Sequence, residues 1–216
     1  MKRVLQYGGI VSGVILAGFG VAAIWMAVGG LNTVSSTLNQ QHIVGTPDMT
    51  PAAITAEAKQ AHVPASSYTV PTSSVANLPI NSGTRARTFA QYMWIHTMEA
   101  THGQTYSQMP RYATANGAGT NDATKALTVN GVPQDNPARN IWVTETALTT
   151  ALNSSFMAQQ LSYFGIVVGV ALLLSGVGFV ILALGGPLGH LKLQLHKESA
   201  EEPKATRPSG TAIPTA

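Results

Sequence analysis

The stretch His96-Thr97-Met98-Glu99-Ala100-Thr101-His102 holds the densest group of metal-capable side chains in the chain. On a helix His96 and Glu99 stand one turn apart, on the face that also carries Phe89 and Tyr92. Glu99-x-x-His102 has the Glu-x-x-His spacing by which ferritin-like proteins project carboxylate and imidazole ligands inward. Glu145 falls on the inner face of a second expected helix and Glu57 on a third. Imidazole combined with carboxylate suits Fe(II), Mn(II) or Zn(II). Two features count against such a centre. His102 lies well round the helix from His96, and a second Glu-x-x-His pair is missing. The favoured reading is a structural polar pair, His96 bonded to Glu99 or Glu145, with no catalytic residue and no cofactor. His96, Glu99, His102 and Glu145 remain the metal candidates.

Other chemistries lack their residues. The chain has no Cys, which excludes disulfides, thiolate metal sites, a Cys nucleophile and a lipidated Cys. No G-x-S-x-G, Walker A, H-E-x-x-H or strand-linked G-x-G-x-x-G occurs. Gly18-Phe19-Gly20 lies inside an apolar run and makes no phosphate loop. His42 and His62 read as solvated loop or helix-end residues. No basic patch with interleaved aromatics supports nucleic-acid binding.

The elements that must position these residues are set by where charge is absent. The 216 residues carry 12 Lys/Arg and 9 Asp/Glu, far below the usual charged fraction of a soluble domain. One uncharged gap separates Arg3 from Asp48 and contains the apolar run Tyr7 to Leu31. Another separates Glu145 from Lys192 and contains Tyr163 to Gly186. As helices, each is long enough to cross a hydrocarbon core of about 30 Å. The first run is about twice the length of a signal-peptide core, so an uncleaved span is expected.

Basic residues near the span ends place both termini in the cytoplasm: Lys2 and Arg3 before the first span, Lys192 and Lys197 after the second. The expected organisation is a cytoplasmic N-terminus (1–6), a first span (7–31), an extracytoplasmic helical domain (32–162), a second span (163–186) and a largely disordered cytoplasmic tail (187–216). The outer segment is neutral. Lys59, Arg85, Arg87, Arg111, Lys125 and Arg139 balance Asp48, Glu57, Glu99, Asp122, Asp135 and Glu145, so the net +3 belongs to the two ends.

The spans share a pattern at an offset of 156, through Tyr7 and Tyr163, Gly9 and Gly165, Gly13 and Gly169, Gly20 and Gly176. Gly9, Gly13 and Ala17 line one face of the first helix. Gly165 and Gly169, with Gly176 further along, offer small residues on the second. Such faces let helix backbones approach closely, either in a hairpin or against another protein. Outside the spans, the first helix should project to about Gln41. Thr50-Pro51 should cap a short helix reaching about His62, and Thr84 to His102 a third, with Gly103 at its C′ position. Asn136-Pro137 should open a long last helix that runs into the second span, with Ile141, Glu145, Leu148, Leu152 and Phe156 facing inward. Val63 to Thr84 and Ala113 to Asn136 read as loops. The fold class is therefore an all-α membrane protein, an antiparallel transmembrane hairpin carrying a small helical extracytoplasmic cap.

TPDMTP at 46–51, FAQYMWIHTMEATHGQTYSQM at 89–109 and the long stretch from Trp142 to Gly185 resemble a family of uncharacterised two-span membrane proteins of high-GC Gram-positive bacteria. The resemblance covers most of 1–186 and implies topology and envelope location. Some relatives carry an aromatic ring-opening dioxygenase label. Such dioxygenases are soluble and strand-rich, and these helical rods give that label no support. The family supplies no catalytic residues to carry over. The expected function is a non-enzymatic membrane protein of the cell envelope. It would sit in membrane lipid and work by contact with a membrane-protein partner or by self-association. A metal-dependent oxidoreductase and an extracytoplasmic ligand-binding or sensor protein are the alternatives.

Overall fold

A computed structural model describes residues 2–185. Met1, Gly186 and the tail expected at 187–216 lie outside the described residues. The protein is mostly helical, with α1 (Lys2–Gln40), α2 (Pro51–Gln60), α3 (Gly83–Ala100) and α4 (Pro137–Gly185). A two-stranded antiparallel ribbon, β1 (Thr128–Val129) and β2 (Val132–Pro133), lies between α3 and α4. α4 has 49 residues, about 74 Å at 1.5 Å per residue. The chain divides into two compact units. The first joins residues up to Ala22 with those from Val168 onward, and the second is Ala23–Val167.

In the first unit α1 and α4 run antiparallel. Gly9 lies opposite Ala183, Gly13 opposite Gly176 and Val180, and Gly20 opposite Gly169 and Leu173. A Cβ on Gly13 or on Gly20 would sit 2.6 Å from the carbonyl oxygen of Gly176 or Gly169 respectively. The backbones therefore touch where side chains normally keep them apart. Val11, Phe19, Leu174 and Ile181 point away from the pair and stay exposed. Both helices are long and apolar enough to cross a membrane, and only 17% and 11% of their most apolar windows are buried. A core helix of a soluble protein buries its apolar surface; these two present it outward.

The second unit has a conventional core. Val34 and Leu38 of α1, Ile54 and Ala58 of α2, Phe89, Tyr92, Ile95 and Met98 of α3, and Trp142 and Leu152 of α4 form one buried cluster. α2 starts as its sequence dictates: Thr50 accepts a hydrogen bond from the Ala53 amide, and Pro51 follows at N1. α3 is capped by Ser82, whose side chain accepts from the Arg85 amide. Its first turn is also held from α4. Buried Gln159 accepts from the Gly83 amide at 2.7 Å and donates to Thr84 Oγ1 at 2.8 Å. Glycine is required at 83, where a Cβ would lie 2.6 Å from the Ser155 carbonyl.

Three expectations about these elements need correction. α4 buries Trp142 rather than Ile141, which is exposed. Trp142 wins because its indole N–H donates to the Gln104 carbonyl at 2.9 Å and its ring meets Trp94 edge-on at 4.7 Å. The C′ residue of α3 is His102 (φ 51), with Gly103 (φ 75) one position later. The His102 amide donates to Glu99 O and the Gly103 amide to Met98 O, the paired bonds of a Schellman ending. His62 ends α2 in the same way, donating to Lys59 O while Val63 donates to Ala58 O. The expected loop at 113–136 contains the short ribbon, closed by Asn130-Gly131 with both residues at positive φ, the geometry of a two-residue hairpin turn.

Candidate functional site

Four ionisable side chains of the second unit converge from three elements. Asp48 stands in the turn that precedes α2, where the Met49 amide donates to the Thr46 carbonyl. Glu57 lies on α2, and His96 and Glu99 lie one turn apart on α3. α2 packs directly on α3, and buried Ile54, Ala58, Tyr92 and Ile95 fix that packing. The apolar contacts therefore set the separation of the polar groups beside them.

His96 Nε2 lies 2.7 Å from Asp48 Oδ2 and 3.9 Å from Glu57 Oε2. One ligand-type atom from each of these three residues lies within 4.8 Å of the other two. The His96 side chain is 26% exposed, yet its Nε2 is sealed from solvent and has no partner in hydrogen-bonding geometry. The 2.7 Å contact sets the imidazole nitrogen directly against the Asp48 carboxylate. Oε1 of Glu99 is likewise sealed and unpartnered. Burial pushes the Glu99 carboxyl above its ordinary range; His96 opposes that push, and the charges of Glu57 and Asp48 add to it. Burial also pushes Asp48 up, but hydrogen bonds from Thr46 and its own backbone, together with His96, hold its carboxyl below the ordinary range overall.

Of the four metal candidates read from the sequence, His96 and Glu99 belong to this cluster. His102 does not: it is an exposed helix-ending residue. Nor does Glu145, which is buried on α4 and accepts a hydrogen bond from Thr149 at 2.7 Å. Neither of the polar pairs expected for His96, with Glu99 or with Glu145, forms; its contacts are Asp48 and Glu57. Asp48 is the member that sequence reasoning missed. It sits in an irregular turn, two residues before the Thr50 cap, and no periodicity points it anywhere.

No family model, curated protein or solved structure matches the chain.

The small residues occupy two kinds of surface. Gly9, Gly13, Ala17, Gly169 and Gly176 lie at the α1–α4 contact of the first unit, and Gly165 faces Ala27 in the second. A Cβ added to Gly178 or Gly185 would meet nothing within 4 Å. These two share a face with Ala171, Ser175 and Leu182 through alternating steps of four and three residues. The same alternation runs through the second unit's part of α4 as Val143, Ala147, Thr150, Ser154, Met157, Leu161 and Phe164, all exposed. Met157 and Leu161 are each 70% exposed.

Proposed function

We propose that this is a non-enzymatic integral membrane protein of the cell envelope that works through protein–protein contact. α1 and α4 cross the plasma membrane as an antiparallel hairpin, with both termini in the cytoplasm and residues 32–162 forming an extracytoplasmic cap. Close backbone packing supports the hairpin. Between helices in lipid, apolar burial supplies little drive, so association depends on backbone approach and van der Waals contact. The distribution of basic residues supports the orientation.

The observation that carries the contact reading is the free face of α4. Its exposed residues from Val143 to Phe164 are uncharged and repeat at the spacing of a helix–helix seam. They lie apart from the residues α4 buries, Trp142, Glu145, Leu152, Gln159 and Ser162. The occupant is a helix of a second copy or of another membrane subunit. Two copies in one membrane share an orientation, so the seam meets itself in register, an isologous contact.

Native mass spectrometry of protein extracted in mild detergent tests this reading. The expected result is a dimer, or an adduct with a co-purifying membrane subunit, that Met157→Lys or Leu161→Lys disperses. A monomer with no partner, or an assembly that both variants leave intact, contradicts it.

A further inference from the structure

Asp48, Glu57, His96 and Glu99 are set apart from the α4 seam, and their charges are out of balance. Three carboxylates face one imidazole. Among the described residues no Lys or Arg comes within 4.0 Å of any of the three. Nε2 of His96 is closed to solvent with only the carboxylates of Asp48, at 2.7 Å, and Glu57, at 3.9 Å, beside it, and Oε1 of Glu99 is closed to solvent without a hydrogen-bond partner. A sealed polar atom without a partner is costly, as is surplus negative charge held partly out of water. A bound cation relieves the surplus charge.

We propose that Asp48, Glu57 and His96 bind a divalent first-row transition-metal ion. The donor set selects the class of ion. One imidazole nitrogen among carboxylate oxygens suits Mn(II), Fe(II) or Zn(II), whereas Mg(II) and Ca(II) favour oxygen alone. One of the three spacings fits as it stands. Metal–ligand bonds of about 2.0–2.2 Å leave the donors around one ion roughly 3 to 4.4 Å apart. The His96–Glu57 separation of 3.9 Å falls in that range, and all three donors lie within 4.8 Å of one another. The His96–Asp48 contact of 2.7 Å is shorter than two ligands of one ion tolerate. The Asp48 carboxylate therefore swings outward as the ion enters. The ion ties the turn at 46–49 and α2 to α3, a clamp within the second unit.

The test uses the full-length protein in detergent, stripped with chelator and free of any polyhistidine tag. Mn(II) is titrated, and the free ion is followed by its room-temperature paramagnetic resonance signal. Zn(II), Mg(II) and Ca(II) serve as competitors. Saturable binding of about one Mn(II) per chain, displaced by Zn(II) in preference to Mg(II) or Ca(II), is expected. Glu57→Gln and His96→Gln should each weaken it by more than about tenfold, while His102→Gln leaves it unchanged. Circular dichroism verifies that each variant is folded. If His96→Gln fails to fold, the half-exposed Glu57 and the unsubstituted protein still decide the matter. Absence of saturable binding to the unsubstituted protein overturns the proposal, as does binding that a folded Glu57→Gln variant leaves intact.

Discussion

The two units solve the same packing problem with opposite means. In the first, glycines bring backbone against backbone, and large side chains such as Phe19 and Leu174 point outward. In the second, large side chains point inward: Tyr92, Ile54, Ile95 and Met98 are fully buried. Polar ties fix their neighbours, including Gln159 to Gly83, Tyr92 to the Ser73 carbonyl and Trp142 to the Gln104 carbonyl. On the proposed topology, the contrast follows from the solvent each unit meets. Water rewards apolar burial at about 25 cal/mol per Å2, whereas between helices in lipid that reward is largely absent and close fit remains. Size changes should therefore act in opposite directions in the two units.

The largest expected effect is truncation in the second unit. Ile95→Ala should cost about 2–5 kcal/mol of unfolding free energy, because it leaves a cavity in the buried cluster. Denaturant unfolding of the detergent-solubilised protein measures it. A loss below 1 kcal/mol would mean that the core is loose. The matching change in the first unit is enlargement. Gly13→Leu or Gly176→Leu drives a side chain into backbone that a Cβ alone would approach to 2.6 Å or less, at a cost of about 1–3 kcal/mol. Cysteines introduced at Gly9 and Ala183, which has no competing thiol in this chain, should crosslink in the parent and lose most of that yield in the enlarged variants. Phe19→Leu, on the outward face, should change neither reading.

Smaller effects probe how the second unit holds α3. Gln159→Leu removes the acceptor for the buried Gly83 amide and should cost about 1–3 kcal/mol. Faster hydrogen exchange confined to the first turn of α3 would identify the cause, and unchanged protection there would argue against the tie. The smallest effect belongs to the ribbon. Gly131→Ala at φ 78 should destabilise its turn by roughly 1 kcal/mol, visible as lost strand signals in nuclear magnetic resonance and leaving the helices intact.

The long helices were legible because their signals are extended: two charge-free runs, and Pro51 and Pro137 each following a capping residue. The candidate site was legible in part. His96 and Glu99 share a helical face, so periodicity pairs them, and Glu57 lies on an adjacent helix. Asp48 was hidden because turns carry no period. Glu-x-x-His spacing presumes that the helix continues, whereas the chain turns left-handed at His102, so Glu99 and His102 form no ligand pair. The choice of Trp142 over Ile141 depends on an indole hydrogen bond to a carbonyl 38 residues earlier, a tertiary contact invisible to local pattern. The Asn130-Gly131 turn was visible, but two-residue strands are too short for alternation to register.

The central claim is that α4 presents a free seam to a partner, and a cysteine scan in native membranes tests it most directly. Single cysteines placed in turn from Val143 to Phe164 have no background thiol to contend with. Oxidative crosslinking should peak at Ala147, Thr150, Ser154, Met157 and Leu161 and fall away at Thr146 and Gln160. The covalent adduct should have twice the chain mass for a second copy, or another fixed mass for a different subunit. A yield that is uniformly absent, or that shows no periodicity along the helix, would contradict the account.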